Sequence, residues 1–152
     1  MKKITILDDI EIKKLRETAK IPTHGSDMAA GYDLYADIPD VVMIPPHTTK
    51  KIGTGIALAI PEFLWAGVFA RSGLATKEGL RPANCVGVID PDYRGEVIVA
   101  LHNDTDENQV ISPQERIAQL VFLFNIQTEF KVVEELSETE RGKGGFGSTG
   151  KI

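Results

Sequence analysis

The sequence predicts an all-β domain, a jelly roll or distorted β-barrel built from short strands. Runs of β-branched and aromatic residues recur along the chain. Clusters of Gly, Pro, Asn and Asp separate these runs at intervals of about 8 to 12 residues, a spacing typical of sandwiches and barrels. Helical periodicity is weak, and strands do not alternate with helices, which argues against a doubly wound nucleotide-binding fold. There is no internal repeat and no interdomain linker, so we expect one domain.

Length and composition narrow the class of protein. The 152 residues are 42% hydrophobic and 26% charged, which suits one ordinary globular core. The N-terminus lacks the pattern of a signal peptide, and no apolar run reaches the roughly 18 residues of a membrane span. The single cysteine, Cys85, cannot form an internal disulfide, so we expect a cytoplasmic protein with no membrane partner. A net charge of −5 argues against nucleic-acid binding, which needs a basic face.

The N-terminal half offers short strand candidates separated by loop signals. These candidates are residues 3–7, 29–37, 41–44 and 51–60. Residues 10–19 are ambiguous, because their isoleucines alternate as in a strand while other apolar residues keep helical spacing. The candidate at 51–60 contains Gly53 and Gly55, which predict a bulge or a close backbone approach.

The C-terminal half continues this pattern as far as residue 136. Strand candidates are residues 64–70, 86–89, 97–101, 108–112, 116–124 and 130–136, and residues 76–79 suggest a single helical turn. The runs 86–89 and 97–101 flank the turn-forming sequence DPDYRG, which predicts a β-hairpin. The composition changes at residue 137, so we divide the chain into a β domain, 1–136, and a flexible glycine-rich C-terminal arm, 137–152.

Asp90 is the unusual residue of the predicted hairpin, because it directly follows the apolar strand residues Val88 and Ile89. A carboxylate at this point leaves the core on a rigid element and can be directed at a ligand. Asp and Pro are ordinary turn residues, however, so Asp90 and Asp92 could equally be turn formers. The other motifs of the chain decide between these interpretations.

The arm combines five glycines among residues 141–150 with cations, hydroxyls and one aromatic ring. Ordering such a segment costs much backbone entropy, so a disordered terminus is one interpretation. The alternative is an arm that orders over a bound phosphate chain, because backbone N–H groups, cations and hydroxyls bind phosphate. The arm is not a Walker A loop, since the GxxxxGK[ST] pattern is absent. Its side chains of interest are Arg141, Lys143, Phe146, Ser148 and Thr149.

Two further segments carry side chains suited to phosphate. Arg71, Ser72 and Gly73 follow an apolar strand and offer a guanidinium fork, a hydroxyl and a permissive backbone, although an arginine at a strand end is often only a surface residue. Arg116 and Gln119 bracket two apolar residues. Residues three apart on a regular strand face opposite sides, so both can meet one ligand only if Arg116 lies in the preceding loop or at a bulge. The three histidines lack the spacing of a metal site.

Five segments resemble, in order and spacing, the five motifs of the trimeric dUTPase family. They are AAGYDLYAD (29–37), ARSGLA (70–75), GVIDPDYRG (87–95), RIAQLVF (116–122) and RGKGGFGSTG (141–150), and they span nearly the whole chain. The resemblance implies a jelly roll that assembles as a homotrimer with active sites shared between subunits. It also implies hydrolysis of dUTP to dUMP and pyrophosphate with Mg²⁺. Such an enzyme limits uracil incorporation into DNA and supplies dUMP for dTMP synthesis.

The resemblance also implies roles for individual residues. Asp90 would activate the water that attacks the α-phosphorus, and Tyr93 would pack under the deoxyribose. Asp33 would lie near the water shell of the metal or pair with an arginine. Asn84 and the backbone near Gly87 and from Val97 to Val99 would read uracil. The remaining substrate-binding residues would be Arg71, Ser72, Gly73, Arg116, Gln119, Arg141, Phe146, Gly147, Ser148 and Thr149, with Phe146 stacked on uracil.

Two positions depart from the family pattern, and several rival functions follow from related folds. Ala70 replaces a frequent Pro and Gln114 a frequent Gly, which bears on loop geometry rather than on chemistry. A dCTP deaminase of the same fold is the nearest rival enzyme, but that family has a Glu near the hairpin and a second Ser where this chain has Gly73. A non-catalytic nucleotide sensor and a structural jelly-roll protein are the rivals from other classes. The presence of Asp90 and of the arm favours the hydrolase.

Overall fold

The structure is a computed structural model, and it describes residues 9–145 of the chain. Within this range it contains twelve β-strands and one short helix, so the predicted all-β class is confirmed. The strands are β1 (Glu11–Lys14), β2 (Thr23–His24), β3 (Tyr32–Tyr35), β4 (Val42–Ile44), β5 (Thr49–Gly53), β6 (Ile56–Ala59), β7 (Leu64–Phe69), β8 (Leu80–Pro82), β9 (Gly87–Ile89), β10 (Ile98–Asn103), β11 (Gln109–Ile111) and β12 (Arg116–Phe124). The predicted strand at residues 3–7 lies outside the described residues.

The strands form four antiparallel sheets arranged as an open jelly roll. The largest sheet has the order β2–β3–β12–β7–β9, the second has the order β5–β10–β8, and β1–β6 and β4–β11 are two-stranded. Neighbours such as β3 and β12 are far apart in sequence, as expected when long connections cross between sheets. In the described part of the chain each sheet keeps open edges, so the strands do not close into a barrel.

One apolar core lies between these sheets. It is built from fully buried aliphatic side chains of several strands, among them Leu34, Ile44, Ile52, Ile56, Leu101, Ile111, Ile117 and Leu120. Strand β12 runs through the middle of the largest sheet, between β3 and β7. Its register shifts between Arg116 and Ala118, which marks a β-bulge where the strand begins.

Residues 51–60 form two strands rather than one. Strand β5 ends at Gly53 and β6 begins at Ile56, because the chain turns through Gly55, whose φ of +69° is in the left-handed region. A Cβ on Gly55 would collide with the carboxylate of Asp37 and with Ala19. The close backbone approach predicted from these glycines is therefore confirmed.

The helix begins earlier than the sequence predicts. The expected turn at residues 76–79 is replaced by helix α1, Ser72–Lys77. Gly79, with φ of +65°, follows the helix and supplies the left-handed residue that commonly ends one. No helix within residues 9–145 has the length and apolar character needed to cross a membrane.

The ambiguous segment 10–19 contains a strand, whereas the predicted strand at 130–136 is absent from the structure. The segment 10–19 is a strand over Glu11–Lys14, which pairs with β6 while Ile10 and Ile12 pack against the core. The predicted strand at 130–136 is wrong, because these residues form no strand and Phe130 and Val132 are 98% and 96% exposed. An alternating apolar pattern becomes a strand only where a neighbouring edge supplies hydrogen bonds.

The predicted β-hairpin at 86–101 is wrong in its pairing. Strand β9 pairs with β7, whereas β10 pairs with β5 and β8, so the two runs enter different sheets. The segment between Ile89 and Ile98 is therefore a connection between sheets. Apolar runs and turn residues look alike in both arrangements, and only long-range strand pairing distinguishes them.

Candidate active site

Two clefts contain most of the residues that the sequence singles out. The first has a volume of about 260 Å³, and we name it the Asp90 cleft. It brings together Asn84, Gly87, Asp90 and Tyr93. The rest of its wall is formed by Val68, Pro82, Val88, Ile89, Glu96, Ile98, Val99 and Ala100. A cleft of this size suits a flat ring with an attached sugar, since larger ligands occupy pockets of about 300 Å³ or more.

Asp90 stands where strand β9 ends. Pairing of β9 with β7 fixes the strand, and Asp90 follows its last residue, Ile89. The Tyr93 N–H donates to the main-chain oxygen of Asp90 at 3.1 Å, which closes a turn after the strand. Within residues 9–145 no hydrogen bond engages the Asp90 carboxylate, which is exposed in the cleft. The carboxylate can therefore accept a proton or a hydrogen bond from a bound molecule.

Tyr93 is held at the edge of the Asp90 cleft by two contacts. Its hydroxyl donates to the main-chain oxygen of Glu96 at 3.0 Å. Its ring covers Gly95 so closely that a Cβ at that position would overlap the hydroxyl and the ring. The glycine is therefore required for the observed position of the ring.

Val97 begins the backbone stretch, 97–99, that the sequence analysis expects to read uracil. Val97 is buried, its N–H donates to the Ile56 oxygen at 2.9 Å, and its own oxygen accepts from the Thr54 N–H and hydroxyl. Its backbone is thus used within the fold, and it does not line the Asp90 cleft.

Ile98, the middle residue of the stretch 97–99, is the one whose backbone faces the cleft. Backbone groups alternate between the two edges of an antiparallel strand. The Val97 oxygen faces Thr54, beyond the end of β5, and the Ala100 oxygen accepts from the Ala83 N–H on the opposite edge. Ile98 shares the edge of Ala100 and lines the cleft, so its N–H and C=O point toward it. The sequence could not single out Ile98 within this stretch, because that choice depends on the pairing partner of Val97.

The second cleft has a volume of about 250 Å³ and contains two arginines, and we name it the arginine cleft. It is lined by Gly25, Ala29, Gly31, Asp33, Arg71, Ser72, Gly73, Arg116 and Gln119. Asp33 Oδ1 accepts from Arg71 Nε at 2.8 Å, and Asp33 Oδ2 accepts from Arg116 Nη1 at 3.2 Å. Arg71 Nη1 also donates to the Arg116 oxygen at 3.1 Å. One carboxylate thus fixes two guanidinium groups side by side, an arrangement suited to a polyanion.

The bulge in β12 brings Arg116 and Gln119 to the same cleft. The sequence predicts this outcome only if Arg116 lies in a loop or at a bulge, and the register shift after Arg116 confirms that condition. Gln119 Nε2 donates to the Ala70 oxygen at 2.8 Å. Its Oε1 would lie 2.7 Å from a Cβ on Gly31, so this glycine leaves room for the amide. Ser72 lies exposed at the rim, where helix α1 begins.

The described part of the arm does not line either cleft. Arg141 is exposed and its Nε donates to the Gly144 oxygen at 3.0 Å, within a turn that includes the bond from the Gly142 N–H to the Thr139 oxygen. The remaining arm residues singled out by the sequence, Phe146, Gly147, Ser148 and Thr149, lie outside the described residues.

The arginine cleft offers one carboxylate to a metal ion. Within residues 9–145 there is no cluster of three or more His, Cys, Asp or Glu able to hold one. Asp33 pairs with two arginines, which is one of the two alternatives left open by the sequence, and its contact with a metal through water stays a prediction. Mg²⁺ is commonly held by one or two carboxylates together with phosphates of the substrate. The donor set therefore fits a Mg²⁺ ion that arrives with a polyphosphate.

Glu96 also lines the Asp90 cleft, and the sequence analysis did not single it out. Its side chain accepts from the Gly55 N–H at 2.8 Å and from Arg16, which is 80 residues distant in sequence. No local pattern indicates such a contact, because it depends on the packing of the turn between β5 and β6 against the connection between β9 and β10.

Fold and site together define an all-β jelly-roll protein with one cleft that contains the exposed Asp90 carboxylate and a second cleft that contains two arginines. Its sequence matches the dUTPase family over residues 17–150. The chain belongs to the dUTPase family.

Relatives and solved structures agree with this assignment. A deoxyuridine 5'-triphosphate nucleotidohydrolase of Nautilia profundicola is 49% identical over 142 residues, which cover 93% of this chain and 99% of that protein. One from Syntrophotalea carbinolica is 45% identical and covers 99% of both chains. A mutant dUTPase of Staphylococcus bacteriophage 80alpha with dUpNHpp superimposes with a TM-score of 0.85 at 29% identity, covering 94% of this chain and 99% of that one. A mutant dUTPase of phage phi11 with a structural Mg(II) ion superimposes with a TM-score of 0.75 at 25% identity, covering 84% of this chain and 98% of that one.

Proposed function

We propose that the protein hydrolyses dUTP to dUMP and pyrophosphate. The observation that carries this proposal is the Asp90 carboxylate, uncommitted to another described residue and placed on a rigid strand end beside a ring-sized cleft. Asp90 takes a proton from a water molecule whose oxygen attacks the α-phosphorus. The bond from the α-phosphorus to its bridging oxygen breaks, and pyrophosphate leaves with that oxygen. Positioning carries most of the catalysis in phosphoryl transfer, so a weak base is sufficient.

The Asp90 cleft binds the deoxyuridine part of the substrate. The backbone N–H and C=O of Ile98 supply a donor and an acceptor that match the edge of uracil, with Asn84 and the backbone of Gly87 beside them. A cytosine edge reverses this pattern and leaves buried groups unpaired, which costs about 10⁴-fold in reaction rate at sites of this kind. Tyr93 lies under the deoxyribose and leaves no space for a 2′-hydroxyl.

The arginine cleft binds the phosphates. Arg71 and Arg116, fixed by Asp33, carry N–H groups that reach phosphate oxygens, and Ser72, Gly73 and Gln119 complete the contacts. The substrate is the Mg²⁺ complex of dUTP, whose metal neutralises charge on the triphosphate. Asp33 would contact the water shell of this ion while it holds the two arginines.

The active site is shared between subunits of a homotrimer. In this arrangement the base and sugar occupy the Asp90 cleft of one copy and the phosphates occupy the arginine cleft of another, and the two clefts have no lining residue in common. The arm, residues 137–152, closes over the site: Arg141, Ser148 and Thr149 bind the γ-phosphate, and Phe146 and Gly147 cover the uracil. We place the enzyme in the cytoplasm, where it keeps dUTP low and provides dUMP.

Release of pyrophosphate from dUTP, dCTP, dTTP and UTP, with Mg²⁺ and with EDTA, tests this proposal. We expect release from dUTP alone and its loss in EDTA. Ammonia from dCTP would identify a deaminase instead. Binding of dUTP without release of pyrophosphate from any of the four would identify a nucleotide sensor.

A further inference from the structure

Three charged side chains from distant parts of the chain form a network beside the Asp90 cleft. Arg16, in the loop after β1, donates from Nε to Asp37 Oδ2 at 2.5 Å and from Nη2 to Glu96 Oε1 at 2.5 Å. Its Nη1 lies 3.4 Å from Glu96 Oε2, so the fork reaches both oxygens of Glu96. The Asp37 side chain is 3% exposed and that of Glu96 21%, while Arg16 remains more open at 44%.

The fold is built closely around this network. Glu96 Oε1 also accepts from the Gly55 N–H at 2.8 Å. A Cβ on Gly53 would lie 2.5 Å from Glu96 Oε1, and one on Gly55 would collide with Asp37. The two glycines therefore leave space for the carboxylates, and the position of Glu96 is set by Arg16 and by the turn between β5 and β6.

Glu96 connects the network to the substrate cleft. It ends the loop that begins at Asp90, and it lines the cleft together with Tyr93. Its main-chain oxygen accepts the hydrogen bond from the Tyr93 hydroxyl. A shift of Glu96 is therefore transmitted directly to the hydroxyl of Tyr93.

We propose that Arg16 is a positioning residue for substrate selection. By holding Glu96 it fixes Tyr93 against the sugar, and so it sets the preference for dUTP over UTP. This inference rests on the function proposed above, in which Tyr93 packs under the deoxyribose. Arginine suits the role because one planar fork binds two carboxylates at once, which the single ammonium group of lysine does not reproduce.

The test compares kcat/KM for dUTP and for UTP in four variants. Arg16→Gln removes the charge and the fork, Glu96→Gln keeps an acceptor for the Gly55 N–H but weakens the bond to Arg16, and Arg16→Lys keeps the charge alone. Tyr93→Phe removes the hydroxyl that Glu96 holds. The matched control is Asp104→Asn, which breaks the bidentate ion pair between Arg81 and Asp104. In this pair Arg81 Nε lies 2.6 Å from Asp104 Oδ2 and Arg81 Nη2 lies 2.9 Å from Asp104 Oδ1. The pair lies outside the connection from Asp90 to Glu96.

We expect the ratio of kcat/KM for dUTP to that for UTP to fall roughly tenfold in Arg16→Gln, Glu96→Gln and Tyr93→Phe, because small displacements of positioning groups cost up to about 10²-fold. Arg16→Lys should restore only part of the ratio. Asp104→Asn should keep the wild-type ratio.

An unchanged ratio in Arg16→Gln and Glu96→Gln, with a melting temperature lowered as in Asp104→Asn, would overturn the inference and leave the network with a purely structural role. If Arg16→Gln does not fold, Arg16→Lys and Glu96→Gln decide the question by the same ratio. Wild-type protein that releases no pyrophosphate from dUTP would refute the proposed function itself, which separates the two failures.

Discussion

Asp33 and Arg71 form an ion pair in which Asp33 Oδ1 lies 2.8 Å from Arg71 Nε. The Asp33 side chain is only 13% exposed, and its second oxygen is occupied by Arg116. One acidic residue at the middle of β3 therefore organises two cations that come from the ends of other strands. Without it, the two guanidinium groups would repel each other and lose their common orientation.

We expect Asp33→Asn to lower kcat/KM for dUTP by roughly tenfold, or about 1.4 kcal/mol, which is the lower range for hydrogen bonds to charged groups. Asn keeps one acceptor oxygen but loses the charge and one arginine contact. Steady-state kinetics with Mg²⁺ present measures the effect, and a thermal melt of the same variant separates it from unfolding. Full activity in a stable variant would show that the arginines hold their positions without Asp33.

The Asp90→Asn variant should keep its affinity for the substrate and lose most of its turnover. The two side chains have nearly the same shape, but an amide does not accept the proton of the attacking water, so we expect kcat to fall by about 10²- to 10⁴-fold. Calorimetric titration with a non-hydrolysable dUTP analogue should give an affinity close to wild type. Wild-type turnover in this variant would remove Asp90 from the role of base and return it to that of a turn residue.

Local sequence patterns predicted which residues line the two clefts better than they predicted how the surrounding strands pair. Asp90, Arg71 and Ser72 are found where short motifs indicate them, because each directly follows a strand that the sequence also predicts. A loop or a bulge at Arg116 followed from the geometry of a strand together with the condition that Arg116 and Gln119 share one ligand, and the structure has the bulge. These inferences needed only the period of a strand and the identity of a few neighbouring residues.

Strand pairing could not be predicted in the same way. The hairpin at 86–101 was predicted from local turn residues, whereas pairing with β7 and β5 sends its two halves into different sheets. That pairing decides which backbone groups of residues 97–99 face the cleft, so local patterns could not single out Ile98 within this stretch. The contact between Arg16 and Glu96 likewise requires segments 80 residues apart to meet.

Gly95→Ala should disturb the site with little loss of stability. The new methyl group would overlap the Tyr93 hydroxyl and ring, so the ring must move and its bond to Glu96 must break. We expect KM for dUTP to rise, with the free energy of unfolding reduced by about 1 kcal/mol, the usual net value of one hydrogen bond. Kinetics and urea unfolding of the same preparation measure both. An unchanged KM would show that the ring position is not important for substrate binding.

The free energy of unfolding should fall at acid pH because Asp37 and Glu96 become protonated. The hydrogen bond from Arg16 lowers the pKa of Glu96 despite its burial. Burial alone raises the pKa of Asp37, but hydrogen bonds with Thr18 and Arg16 outweigh it and the net pKa is lowered. As the pH falls, the unfolded chain binds protons first, at the ordinary values of about 4, so the stability that these carboxylates supply is present above that pH and is lost below it.

Urea midpoints measured from about pH 3 to 7 test this dependence. Above about pH 5, we expect these two groups to contribute little to the change of the free energy of unfolding with pH. Toward pH 3 we expect the free energy of unfolding to decrease. Arg16→Gln should reduce the decrease, because it removes the cation responsible for much of the lowered pKa values. An equally steep decrease in that variant would assign acid sensitivity to other carboxylates.

Removal of residues 141–152 should separate catalysis from assembly. The deletion takes away Arg141, Lys143 and the hydroxyls and aromatic ring of the arm, so turnover of dUTP should fall by about 10²-fold or more, as for the loss of groups that hold a reacting phosphate chain. The β-sheets and the apolar core described within residues 9–145 do not involve residues 141–145, so light scattering should still give about three times the chain mass, which is 16.6 kDa for the full chain. A monomer would mean that the arm holds the subunits together, and full turnover by an intact trimer would mean that the two clefts bind dUTP without a cover.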